Sequence, residues 1–194
     1  RKLGKKMAWN DHADLVEVQH HWAHAASLMV DARLEDIVAL TLDGTGYGSD
    51  GRAWGGEVLR ADFRSFDRVA HLQEFPLLGG EMAVKDVRRL VFAISEMAGR
   101  ETSFYTDRDA EVLRKISSTA PRTTSFGRVL DALSCHFEVC CRRSYDGEPA
   151  MKLERLLERG RRSMEFKVER RGKEILTVPL FQQLFESKGR KEDL

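Results

Sequence analysis

The sequence predicts a mixed α/β lobe in which an antiparallel strand meander leads into helices, a late hairpin and a last helix. Three observations carry this reading. The run Ile37-Val38-Ala39-Leu40-Thr41-Leu42 is short, apolar and partly β-branched and is soon followed by glycine, as in a buried strand. Two further strand-like runs, Arg52 to Asp62 and Phe66 to Gln73, follow it across tight turns. From Glu81 onward the apolar residues recur mainly at helical spacing.

Taken in order, the polar and basic start is a lead-in segment over residues 1–15, and residues 16–194 form the domain. Leu15 to Gln19 alternates weakly and reads as a short strand. Trp22 to Arg33 reads as a helix with Ala23, Ala26, Leu28, Met29 and Val30 apolar. Asp36 to Leu42 is read as a central strand, and Leu42-Asp43-Gly44 as the entry to a hairpin. Phe75 to Gly80 is a turn. One helix is expected from Glu81 to about Met97, ended by Gly99, with Met82, Val84, Val87, Leu90, Val91 and Ile94 as its apolar stripe. Asp107 to Ser117 is a second, capped by Thr106 or Asp107, and Ala120 to Thr124 a loop. Ser125 to Phe137 and Glu148 to Glu158 are two more helices. Arg171-Gly172 is a hairpin turn, and Pro179 suits the first turn of a last helix, Leu180 to Ser187.

The chain has 194 residues, 42% hydrophobic and 32% charged, enough for one domain with a core or one lobe of a larger enzyme. A net charge of +1 gives no general attraction to nucleic acid or acidic membranes. No apolar run reaches the roughly 18 residues of a membrane span. No apolar leader follows the basic start, so the expected compartment is the cytoplasm. The chain starts at Arg1 rather than Met and stops at Leu194 within a stretch read as helix, which predicts a piece of a longer polypeptide. Cys135, Cys140 and Cys141 are odd in number and confined to one segment, so reduced buried thiols are expected rather than a disulfide framework.

The candidate chemistry gathers early. Half of the six histidines fall between His20 and His24. Histidines four apart on a helix share a face and can hold one metal ion, although such a pair also arises by chance. The glycine cluster Gly44, Gly46, Gly48 follows a strand ending at Asp43, where ligands tend to sit. Its backbone N–H groups can approach an anion closely, or it is an ordinary hairpin needing positive φ. It lacks both the Gly-x-Gly-x-x-Gly pattern and the strand-to-helix setting of a dinucleotide fingerprint. Gly79-Gly80-Glu81 opens a helix whose free N–H groups suit a phosphate or hydroxyl-rich ligand, or simply makes a turn. Lys85 and Arg89, four apart, form either an anion clamp or a solvated basic face. Arg128 and Asp131 read equally as a surface pair, and Asp146-Gly147 as a turn signal. No nucleophile–base–orienter set is apparent around Ser27 or Cys135.

Several of these stretches match one family. Gln19-His20-His21-Trp22-Ala23-His24 resembles the His-His-x-Ala-His signature of the HypF-type carbamoyltransferases, hydrogenase maturation factors, and their NodU-type relatives. Leu42 to Gly51 with Trp54-Gly55-Gly56-Glu57 is similar to the family's next block. Phe75-Pro76-Leu77-Leu78-Gly79-Gly80-Glu81 resembles its block ending Pro-Gly-Gly-Asp. Ser125-Phe126-Gly127-Arg128-Val129-Leu130-Asp131-Ala132 resembles its Ser-x-Gly-Arg-x-x-Asp-Ala helix. Tyr145-Asp146-Gly147 through Leu153-Glu154 resembles its Tyr-Glu-Gly-x-x-Ala-x-x-Leu-Glu segment. Five collinear blocks are far more specific than one motif.

The resemblance implies one lobe of an actin/sugar-kinase-like fold. It implies that carbamoyl phosphate and ATP give carbamoyl adenylate, whose carbamoyl group passes to the C-terminal cysteine of a HypE acceptor, toward the cyanide ligands of nickel–iron hydrogenase. It places a divalent metal, iron or zinc, on His20 and His24, and the phosphate-facing hairpin at Asp43, Gly44, Thr45, Gly46 and Gly48, with Asp43 the catalytic candidate. It places a ribose-side contact at Gly80 and Glu81, beside Gly79, although Glu81 stands where the family has Asp. Val87 and Pro149 also depart from the family pattern. The chain is expected to stop before the family's Ser-Gly-Gly-Val-Phe adenosine-binding segment and later aspartate ligand. The alternatives are a catalytically inert nucleotide- or protein-binding lobe and a small metallohydrolase. The last is disfavoured because Glu does not follow the first histidine as in His-Glu-x-x-His.

Overall fold

The computed structural model describes residues 16–158, 160 and 165–187. The lead-in segment, Leu15 and residues 188–194 lie outside the described residues. The architecture is mixed α/β, as expected. Helix α1 (His20–Ala32) precedes strands β1 (Asp36–Tyr47), β2 (Ala53–Asp62), β3 (Phe66–Leu72) and β4 (Phe75–Pro76). Helices α2 (Glu81–Lys85), α3 (Arg88–Met97) and α4 (Asp107–Ser117) follow, then β5 (Arg122–Thr123), α5 (Phe126–His136), α6 (Glu148–Leu157), the hairpin β6 (Glu169–Arg171) and β7 (Glu174–Leu176), and α7 (Val178–Glu186).

One sheet joins these strands. β1, β2 and β3 form the antiparallel meander; β7 adds parallel to β3, and the short β5 pairs parallel with the start of β2. Helix α1 covers one face of β1 and β2, where Ala25 packs on Ala39 and Ala61, flanked by Trp22, Ile37 and Phe66. The main core lies between the sheet and helices α3, α5 and α7, around Phe75, Leu90, Ile94, Val129, Ala132 and Phe181. Helix α4 adds Ala110 and Leu113 against Phe92 and Leu78. Among the described residues no helix is long and apolar enough to cross a membrane.

A buried carboxylate ties the sheet together at the strand junction. Glu57 is fully buried. It accepts from the backbone N–H groups of Gly55 and Gly56 at 3.1 and 3.3 Å, from Arg68 Nε at 2.6 Å, and from the Thr124 hydroxyl. The arrangement satisfies a charge that would otherwise be costly to bury, and it links β2, β3 and the chain just after β5.

Several expectations change: residues 75–80 and 120–124, read as a turn and a loop, carry the two-residue strands β4 and β5. Residues 16–19 form no strand; Gln19 instead caps α1, its side-chain oxygen accepting from Trp22 N–H at 2.8 Å. β1 pairs only with β2 and is an edge among the described strands, leaving Val38, Leu40 and Leu42 exposed on the face away from α1. The β1 strand does not turn at Asp43-Gly44: it runs to Tyr47 through a bulge between Leu42 and Gly46, and the turn spans 48–52. The helix expected from Glu81 breaks at Asp86 and Val87, so Lys85 and Arg89 do not share one continuous helix. Tertiary pairing causes the break: Val87 N–H donates to Cys141 O at 3.1 Å, and Arg143 N–H donates to Lys85 O at 3.0 Å. Finally, Cys135 and Cys141 are joined as a disulfide, because the chain turns back after α5 and brings their Cα atoms to 4.4 Å; Cys140 is the free, buried thiol.

Candidate functional site

Three elements meet at one place. The first is the start of α1, anchored where Gln19 Nε2 donates to Tyr47 O at 2.9 Å. The i, i+4 spacing puts His20 and His24 side by side, their ring centroids 4.7 Å apart edge to face. His21 turns inward, fully buried, and burial pushes its pKa down, so it stays neutral. Gly46 makes room for it: a Cβ there would fall 2.3 Å from His21 Cε1 and 2.6 Å from His20 Cδ2. Gly48 likewise makes room for the Trp54 indole.

The second element is the β1 bulge. It projects Asp43 so that Oδ2 lies 3.0 Å from His20 Nε2 and 3.9 Å from His21 Nε2. Burial pushes the Asp43 carboxyl up, but the backbone N–H groups of Thr45 and Gly44 and the His20 ring outweigh it and hold the pKa below its usual value. Asp43 is therefore ionised at neutral pH.

The third element is the N-terminus of α5. Ser125 caps it, accepting from Arg128 N–H at 3.1 Å while its hydroxyl lies 3.0 and 2.8 Å from the carbonyls of Asp43 and Gly44. Gly127 permits the close approach, since a Cβ there would meet Gly44 Cα at 2.8 Å. The helix end is thus locked to the bulge by one hydroxyl and one missing side chain.

The bulge and α5, with α2, α6 and the loop at Arg143, border a cavity of about 520 Å³ whose lining includes Asp43, Gly44, Thr45, Arg128, Asp131 and Arg143. A second cavity of about 590 Å³ lies between α1 and β1, lined by His21, His24 and apolar residues of both elements. Asp43 lines both. The structure therefore brings His20, His24, Asp43, Gly44 and Thr45 together. Gly79, Gly80, Glu81, Lys85 and Arg89 do not line the first cavity; α2 contributes Val84 instead. Arg89 packs under the Gly79 turn and donates to Leu78 O at 3.1 Å. Among the described residues no three His, Cys, Asp or Glu side chains form a ready metal cluster.

Reading the sequence alone missed the far wall. Arg128 and Asp131 are a buried pair, 5% and 0% exposed, rather than a surface one. Arg143 and Asp146 line the cavity beside them. The available signal was the Ser-x-Gly-Arg-x-x-Asp-Ala resemblance, which placed both residues in one motif.

Comparison with known proteins follows the same lines. The family model described as carbamoyltransferase, Kae1-like domain, second subdomain, matches residues 39–194. A "Probable carbamoyltransferase HypF" of Methanocaldococcus jannaschii is 39% identical over 165 residues, covering 79% of this chain and 22% of that protein. The carbamoyltransferase HypF of Rhodobacter capsulatus is 37% identical over 156 residues, 73% of this chain and 21% of that one. The crystal structure of T. kodakarensis HypF superposes with a TM-score of 0.87 at 34% identity, over 99% of this chain and 28% of that one. Full-length HypF in its phosphate- and nucleotide-bound form gives 0.83 at 30%, over 93% and 31%. The chain thus spans about a fifth of the length of these curated relatives.

Proposed function

The chain belongs to the HypF carbamoyltransferase family, and from that premise we propose that it forms one wall of a carbamoyl-transfer site within a longer cytoplasmic enzyme. The donor is carbamoyl adenylate, made from carbamoyl phosphate and ATP. The acceptor is the C-terminal cysteine of a HypE-like protein, in the maturation of nickel–iron hydrogenase. In the transfer the acceptor thiolate attacks the carbamoyl carbon, the bond to the adenylate oxygen breaks, and AMP leaves.

The observation that carries this reading is the placement of Asp43, 3.0 Å from His20 and on the wall of the first cavity, beside α5. His20 and His24 supply two imidazole donors on one face, and Asp43 a carboxylate next to one of them. That donor set suits iron or zinc. We assign the metal to His20 and His24, with remaining ligands from outside these residues; once bound there it would supply Lewis-acid polarisation of a carbamoyl or phosphate oxygen.

The chain's own residues do the rest. Asp43, held ionised, accepts from His20 and orients the ring. The adenylate phosphate is assigned to the Gly44-Thr45 segment, beside the positive end of α5. Gly79, Gly80 and Glu81, at the start of α2, are assigned to the ribose side, with Lys85 and Arg89 as nearby positive charge; Val84 on that helix reaches the cavity wall. Gly46 and Gly48 serve by letting the histidines and Trp54 pack closely.

The test uses the complete polypeptide. Asp43→Ala should abolish carbamoyl transfer while carbamoyl-phosphate-dependent ATP–pyrophosphate exchange persists. Combined His20→Ala and His24→Ala should remove the bound metal. Loss of exchange together with transfer in a folded Asp43 variant, or unchanged metal content in the double variant, would overturn the assignment.

A further inference from the structure

Cys135 sits in the last turn of α5, and Cys141 begins the segment that turns back from it. The helix ends in a left-handed residue, Glu138, with a φ of 59°, and the N–H groups of Val139 and Cys140 donate to Ser134 O at 2.8 and 3.3 Å. That turn brings the Cα atoms of Cys135 and Cys141 to 4.4 Å, a separation a disulfide can span, and the two are bonded. Their access to solvent differs. Cys135 is fully buried in the main core, whereas Cys141 is only partly buried at its edge. Cys140 takes no part: it is buried, and its Sγ donates to Arg142 O at 3.2 Å. Burial also pushes its thiol pKa up, so it stays protonated and a poor nucleophile.

The residues after Cys141 hold part of a cavity wall in place. Cys141 O accepts from Val87 N–H at 3.1 Å, and Arg143 N–H donates to Lys85 O at 3.0 Å. Between these bonds Asp86 and Arg142 form an antiparallel bridge. The junction of α2 and α3 is thereby fastened to residues 141–143. Val84 of α2 and Arg143 both line the first cavity, and α5 lines it through Gly127 and Arg128. The disulfide is a covalent tie between α5 and the segment that fastens α2.

We propose that Cys135 and Cys141 are a redox couple whose state sets how firmly residues 141–143, and α2 with them, are held to α5. Starting from the dithiol, the Cys141 thiolate attacks one sulfur of a small-molecule disulfide such as oxidised glutathione, and one thiol leaves. Cys135 then attacks Cys141 Sγ, the mixed disulfide breaks, and the second thiol leaves. Two S–H bonds of the protein become one S–S bond. Two electrons and both protons pass to the small disulfide, which becomes two thiols. Reduced glutathione reverses both steps, entering at Cys141 because Cys135 is sealed in the core. The bond restricts the short loop it closes, so oxidation secures the wall and reduction loosens it. Where thiol buffers keep cysteines reduced, as in the cytoplasm, a bond of this kind is usually transient or sensing rather than permanent. The couple stands apart from the carbamoyl-transfer reading.

The experiment equilibrates the complete polypeptide in buffers running from reduced to oxidised glutathione, traps its thiols by alkylation and reads the peptides by mass spectrometry. Cys135 and Cys141 should pass together from two alkylated thiols to one linked pair and back. Hydrogen exchange in the peptides that hold Val87 and Arg143 should quicken by roughly tenfold in the reduced form, with β1 and β2 unchanged. In Cys141→Ala those peptides should exchange at the reduced rate in every buffer. Cysteines elsewhere in the polypeptide are common to both proteins and drop out of the comparison. A pair that stays as thiols in oxidised glutathione, or stays bonded in reduced glutathione, would overturn the proposal. So would exchange at Val87 and Arg143 that is the same in both forms, that quickens equally in β1 and β2, or that still follows the buffer in Cys141→Ala. Each of these results leaves the transfer reading standing.

Discussion

Removing the Glu57 carboxylate should destabilise the fold more than almost any other single change. Glu57 has no exposed surface, and its carboxylate serves four donors: two backbone N–H groups, Arg68 Nε at 2.6 Å, and the Thr124 hydroxyl. Glu57→Ala leaves the guanidinium of Arg68, 17% exposed, without its closest anion; only Asp50 remains, at 3.6 Å. Breaking a buried pair by deleting one partner costs about 3–5 kcal/mol. For a domain of this size each kcal/mol moves the midpoint by about 2–4 °C, so a fall in Tm of roughly 6–20 °C is expected. Circular dichroism melts of residues 1–194 would read it, and those melts should be cooperative. Replacing both partners, Glu57→Leu with Arg68→Met, should recover much of the loss, because an apolar pair avoids the desolvation of two charges. A drop of less than about 3 °C in Glu57→Ala, or no recovery in the double variant, would refute the view that this ion pair is what ties β2 to β3 and the start of α5.

Two further outcomes are expected. Gly127→Ala places a methyl 2.8 Å from the Gly44 backbone, so it should cost about 1–3 kcal/mol in urea denaturation through overpacking and should lower carbamoyl transfer in the complete polypeptide; unchanged stability would mean that α5 and the bulge can separate freely. Glu148 is held down to about 2 by Lys152 Nζ at 2.7 Å and by Ser144. Its contribution is therefore present in full above the unfolded-state carboxylate pKa of about 4.3 and is lost as pH falls toward 2. Stability differences between wild type and Glu148→Gln should shrink between pH 6 and pH 2.5, and a difference that stayed constant would exclude that linkage.

What the sequence determined by itself was what neighbouring residues decide. Helix α4 begins after Thr106 and α5 after Ser125 because those hydroxyls cap the next turn, and both starts were legible from residue type. The meander over Ala53–Asp62 and Phe66–Leu72 was legible from its strand-like runs and short turns. The placement of His20 beside His24 follows from helical spacing alone. Tertiary structure decided whatever needed a distant partner. The helix after Glu81 breaks because the backbone at Lys85 and Val87 pairs with residues 141–143, and no local pattern announces it. An Arg–Asp pair three apart has the same sequence on a wet surface as in a buried wall; only the packing of the bulge, α5 and the loop at Arg143 takes Arg128 and Asp131 out of water. Likewise Asp43 reads as the last residue before a turn until the β1–β2 register inserts a bulge there and swings its carboxylate onto His20, because strand register is set by the pairing partner and not by the strand.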